Sequence, residues 1–184
     1  MIPSPQPIRR VVLLGFMAAG KTAVGAELAR RLGWAHVDLD REIERREGRS
    51  VAAIFAAEGE ARFRELEARA TVDVAARSGV IVSPGGGWIT GPGNLEALGA
   101  GTLSVWLQVS PEEAVRRAAE APGERPLLAG PDPLAAARRL LEARAPLYAR
   151  ADVQVDTGGR SPAQVADIIE TELRARGGPV SERP

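Results

Sequence analysis

The chain contains no cysteine, and all but one of its 24 Lys+Arg positions are arginine. The missing thiols exclude a disulfide framework and any cysteine-ligated metal site, and they fit a reducing compartment. Neither charge sign is in excess, since 24 acidic residues balance the basic ones to a formal net charge of zero. With no basic block either, non-specific binding to nucleic acid or to anionic membrane has little support, and the partners are expected to be small molecules. Long hydrophobic runs are also missing. The longest, such as "VVLLGFMAA", falls far short of the roughly 20 residues of a spanning helix, and the start "MIPSPQPIRR" lacks a signal-peptide pattern. A cytoplasmic monomer is expected. At 184 residues the chain fits one domain that can bury most of its unfolded surface unaided.

What is present alternates. "RVVLLGF", "AHVDL", "GVIVSP", "TLSVWLQV" and "ADVQVD" read as strands. "KTAVGAELARRLG", "EGEARFRELEARATVDVAARSG", "GPGNLEALGAG", "SPEEAVRRAAEA" and "PDPLAAARRLLEARAPLY" show helical spacing, with Gly or Pro at many boundaries. Such alternation predicts an α/β fold with a parallel sheet covered on both faces. There is no internal repeat and no mid-chain linker; the Pro-rich start and the tail "RARGGPVSERP" are expected to be disordered.

The single lysine lies in "GFMAAGKT", between the first strand and the first helix, and completes G-x-x-x-x-G-K-[ST] as Gly15, Gly20, Lys21 and Thr22. Glycines let backbone amides wrap a phosphate chain, and the helix N-terminus adds its positive end. A compact, mobile ammonium can follow the β- and γ-phosphates where the broad fork of arginine fits the loop poorly. The loop residues Gly15, Ala18, Ala19, Gly20, Lys21, Thr22 and Ala23 are therefore expected to hold ATP, with the Thr22 hydroxyl on Mg²⁺.

Asp38 and Asp40 fall at the carboxyl end of the second strand, where ligands of open α/β sheets gather. One can serve Mg²⁺ through water and the other can orient or deprotonate an attacking hydroxyl, while Asp40 can equally cap the helix "REIERREG". His36, the sole histidine, sits inside that strand and reads as packed. Phe55, Phe63 and Arg64 come together if "IFAAEGEARFRELEA" is helical, and "SPGGGWITGPG" offers a second turn open to close ligand approach. "GERPLLAGPDP" interrupts the helical pattern with prolines and glycine and carries Arg125, as a mobile lid bearing a cation would, or an ordinary surface loop.

Taken together, "GFMAAGKT", "DLDREIERREGRSVAAIFAAEGEARFRELE", "GGG", "RPLLAG" and "RAPLY", in this order, resemble the shikimate kinase family from about residue 9 to residue 170. The resemblance implies a fold like that of the nucleoside monophosphate kinases, with a five-stranded parallel sheet, over a single domain at 9–175 with a lid at about 121–131. It implies ATP and Mg²⁺, and phosphoryl transfer to the 3-hydroxyl of shikimate. Carried over position by position, it makes Asp40 the base, with Lys21 and Arg125 also catalytic. Arg64, Arg144 and the turn Gly85, Gly86, Gly87 would bind the acceptor, Arg117 and Arg160 would lie near the adenine, and Thr22 and Asp38 would serve the metal. Ala23 stands where the family usually has a second hydroxyl, which implies one phosphate contact fewer. Trp88 stands where it usually has a small residue, which implies an indole in the acceptor wall that senses the pocket filling. A related kinase, of gluconate for example, and a non-catalytic ATP-binding module are the alternatives; the full set of charged residues argues against the second.

Overall fold

The computed structural model describes residues 6–120 and 131–179. Five strands, β1 (Arg10–Leu14), β2 (Ala35–Asp38), β3 (Val80–Ser83), β4 (Thr102–Gln108) and β5 (Val153–Asp156), form one sheet in the order β2-β3-β1-β4-β5. All four pairings are parallel. The central β1 is buried along its whole length, as a strand covered on both faces must be. Its side chains alternate between two cores. Val11 and Leu13 join Leu28, Val165 and Ile169 on one face, while Val12 and Leu14 join Ile54, Phe63, Trp88 and Tyr148 on the other.

The helices among the described residues are α1 (Lys21–Leu32), α2 (Leu39–Glu47), α3 (Val51–Ala75), α4 (Asn94–Ala97), α5 (Pro111–Glu120), α6 (Pro133–Tyr148) and α7 (Pro162–Ala175). The sequence pattern places α1, α5 and α6 correctly. It overstates α4, which is one turn, and it misses the start of α3. There a first segment from Val51 meets the main helix at Gly59, whose φ of 79° and ψ of 178° only glycine adopts readily. The sequence pattern also misses α7, although Ser161 and Gln164 form a reciprocal capping box at its start. Within the ends expected to be disordered, through residue 8 and from residue 176, Ile8 is buried and pairs with Pro179 in an isolated parallel bridge, while residues 1–5 and 180–184 lie outside the described residues.

Candidate active site

The loop between β1 and α1 needs unusual backbone at three places. Gly15 (φ 147°) lies so close to β4 that a Cβ would meet the Leu107 carbonyl at 2.6 Å, Gly20 (φ 94°) starts α1, and Ala18 (φ 60°) is the one non-glycine at positive φ among the described residues. No side chain caps the first amides of α1, which leaves them aimed at the loop's concave side. Lys21 Nζ donates to the carbonyls of Gly15 (2.7 Å) and Phe16 (2.9 Å), so the ammonium is held across the loop mouth. Thr22 Oγ1 lies 3.3 Å from Asp38 Oδ2.

Asp38 ends β2 and accepts from the Arg41 amide at 3.2 Å, which makes it the cap of α2. That corrects the capping role weighed for Asp40, which lies in the first turn of α2 itself. Asp40 enters the same cleft from the helix, with a buried Oδ1 that lacks a hydrogen-bond partner. Burial, reinforced by the Asp38 charge, pushes its carboxyl up to about 6, against the pull of Lys21 and Arg64. An acceptor oxygen raised toward neutrality and left unpaired is what a general base for a substrate hydroxyl requires.

Each glycine of the 85–87 turn touches a different functional group. A Cβ on Gly85 would meet Asp40 Oδ2 at 2.9 Å, one on Gly86 the Met17 amide at 3.3 Å, and one on Gly87 the Arg64 Nη2 at 2.8 Å. The turn thus lets the phosphate loop, Asp40 and Arg64 converge with no side chain between them. Arg64 bonds Glu60 at 2.9 Å and the almost fully buried Glu67 at 2.5 Å. Burial pushes the Glu67 carboxyl up to about 7, with Arg64 pulling it the other way. Phe63 packs against Phe55 at 4.8 Å between ring centroids, and the Arg64 guanidinium lies 5.9 Å from the Phe63 ring centre. The expected grouping of Phe55, Phe63 and Arg64 is therefore present.

Two joined clefts result. One, of about 480 Å³, is lined by Lys21, Thr22, Ala23, Asp38, Asp40 and the Gly85–Gly86 backbone. The other, of about 500 Å³, is lined by Ala18, Ala19, Gly20, Thr157, Arg160 and Pro162. Arg117 borders both. Its guanidinium is fixed by Glu113 Oε1 at 2.7 Å and the Thr157 carbonyl at 3.0 Å. Arg160 is anchored on the Asp156 carbonyl at 2.7 Å. The Arg144 charge bears on the hydroxyl of Tyr148, which donates to the Gly86 carbonyl at 2.6 Å. Arg125 lies outside the described residues.

The family model for shikimate kinase matches residues 17–174. The chain belongs to the shikimate kinase family. The shikimate kinase of Moorella thermoacetica is 46% identical over 165 residues, covering 90% of this chain and 94% of its own. That of Thermus thermophilus is 44% identical over 170 residues and covers 92% of each chain. Among solved structures, shikimate kinase from Acinetobacter baumannii in complex with shikimate superposes with a TM-score of 0.84 at 34% identity, over 92% of this chain and 95% of that one. A gluconokinase from Sinorhizobium meliloti shares the fold alone, at a TM-score of 0.59 and 19% identity.

One expectation carried over from the family fails. Trp88 does not form part of the acceptor wall: it is fully buried in the core between the sheet and α3, where its Nε1 donates to Thr71 Oγ1 at 2.8 Å. The glycine turn ends in a short 3₁₀ segment, Trp88–Thr90, that aims the indole inward. His36 is packed as expected, with Nε2 2.9 Å from Ser83 Oγ. Sequence reasoning overlooked Glu67 and Tyr148; the i,i+3 spacing of Arg64 and Glu67, and a lone tyrosine inside "RAPLY", were the available signals.

Proposed function

We propose that the protein transfers the terminal phosphoryl group of ATP to the 3-hydroxyl of shikimate, giving ADP and shikimate 3-phosphate on the route to chorismate. The observation that carries this reading is the convergence of Asp40, with its unpartnered buried oxygen, on the glycine turn and the phosphate loop. In it, the nucleoside rests in the cleft between Arg117 and Arg160, and its phosphates follow the α1 N-terminus toward Lys21. Arg64 and Arg144 supply the directional donors that a carboxylate-bearing acceptor calls for. Asp40 takes the proton of the attacking hydroxyl, and Lys21 stabilises charge on the transferring group. Arg125, which with the proposed lid lies outside the described residues, is given the same electrostatic task.

The donors present also suit Mg²⁺, which needs only one or two protein oxygens beside phosphates and water, and Thr22 and Asp38 are adjacent. Mg²⁺ would neutralise charge on the β- and γ-phosphates there. Among the described residues no helix is long and apolar enough to cross a membrane. A cytoplasmic monomer is part of the proposal. ADP release from ATP and Mg²⁺ should depend on added shikimate and not on gluconate. ADP release that ignores shikimate, or follows gluconate, overturns the assignment.

A further inference from the structure

Tyr148 is the chain's single tyrosine and the last residue of α6. It is 1% exposed, its ring stacks on the Trp106 indole of β4 with centroids 5.7 Å apart, and its hydroxyl meets the Gly86 carbonyl at 2.6 Å. Arg144, one helical turn earlier, bears on the same oxygen, while burial pushes the phenol up to about 12. The hydroxyl therefore keeps its proton and donates a hydrogen bond through it to the Gly86 carbonyl, and its lone pairs remain available to the guanidinium.

The hydrogen bond ties α6 to the glycine turn at one atom, on which the Arg144 charge also bears. Gly86 belongs to the turn after β3, and Arg144 belongs to α6, more than fifty residues later in the chain. A buried tyrosine whose hydroxyl had only to be satisfied could use any nearby carbonyl. This one uses the middle residue of the turn that borders Asp40 on one side and Arg64 on the other.

We infer that Tyr148 is a positioning residue for the acceptor, whose hydroxyl fixes the glycine turn and Arg144 at one spacing so that the backbone amides and the guanidinium grip the same small anion. The inference rests on the shikimate reading proposed above. It assigns Tyr148 no contact with the acceptor and no part in proton transfer. The nucleotide side should feel it far less, because the residues around the second cleft come from the phosphate loop, α1, α5, the β5–α7 connection and α7, and none from α6 or the glycine turn.

Tyr148→Phe keeps the ring and its stack on Trp106 and deletes only the hydroxyl. The KM for shikimate should rise at least about fivefold while the KM for ATP stays within about twofold. In the unaltered protein, labelled with ¹³C at the phenol carbon of tyrosine, the lone tyrosine gives one resonance. Saturating shikimate should shift it, and ADP alone should not. Unaltered protein that phosphorylates shikimate, with a Tyr148→Phe variant that changes neither KM or raises both alike, leaves the proposed reaction standing and overturns the positioning role. If the variant does not fold, the labelled protein decides: a resonance indifferent to shikimate overturns the inference. Unaltered protein that releases no ADP with shikimate removes the acceptor reading itself.

Discussion

A Cβ on Gly87 would sit 2.8 Å from Arg64 Nη2, and the backbone there (φ −87°) is one that alanine adopts without strain. The neighbour in the way is the end of a long side chain, so Gly87→Ala should displace the guanidinium rather than the turn. The expected result is a rise of roughly tenfold in the KM for shikimate, with kcat and melting temperature little changed. Steady-state kinetics with shikimate varied at saturating ATP reads it directly.

Lys21→Arg keeps the charge and changes the shape. Lys21 Nζ reaches the Gly15 and Phe16 carbonyls within one narrow loop, and a planar guanidinium cannot make both contacts and still follow the phosphates. Turnover should fall about a hundredfold or more, with far-UV circular dichroism unchanged. Near-normal turnover would show that the loop does not bind phosphate in the manner described.

Asp40→Asn should abolish most turnover, by about 10² to 10⁴. In the unaltered protein, kcat/KM should fall as pH drops below about 6, where Asp40 takes up its proton. The stability effect has the opposite sign from that of an ordinary carboxylate. Because the folded-state value lies above the unfolded one, ionising Asp40 destabilises the fold as pH rises from about 4 toward 6, and the amide escapes that penalty. The variant should be the more stable at pH 8, by on the order of 2 kcal/mol, and the difference should vanish toward pH 4. Urea unfolding at the two pH values checks it, and a variant less stable at pH 8 would show that the charge is well compensated.

Trp88→Phe should cost about 2 kcal/mol, through the lost bond to Thr71 and the smaller ring in a filled core. Neither KM should move by more than about twofold, because the indole does not face the cleft. Fluorescence of Trp88 should not report shikimate; a large shikimate response that vanishes in the variant would return the indole to the acceptor wall.

The strands were legible because a parallel sheet covered on both faces demands short, continuous, β-branched runs, and β1, β3 and β4 are of that kind. The phosphate loop was legible because its chemistry is local: its glycines and its lysine act within one turn of backbone. Asp40 was legible as a candidate carboxylate, but the cap lies two residues earlier, at Asp38, since two aspartates on either side of Leu39 compete for one role and only the backbone angles of Asp38 decide it. The direction of Trp88 could not be read at all. It depends on Thr71, seventeen residues earlier on another element, and no local pattern records that pairing. The burial of Glu67 and the reach of Tyr148 to Gly86 are long-range facts of the same sort. In contrast, α7 did carry its signal, in Ser161 with Gln164 and in Val165, Ile169 and Leu173 spaced four apart.

Because the chain has a single lysine, and the fold places its ε-amine against the carbonyls of Gly15 and Phe16, every lysine-directed covalent event on this protein is an event at the phosphate loop. Acetylation, carbamylation, glycation or an amine-reactive dye cannot spread over a harmless surface population of side chains, as in most proteins of this size. Each either leaves lysine untouched or alters the ammonium proposed to meet the phosphates of ATP. Chemical ageing through lysine should therefore register as loss of turnover in step with the modified fraction, and bound nucleotide should protect against both together.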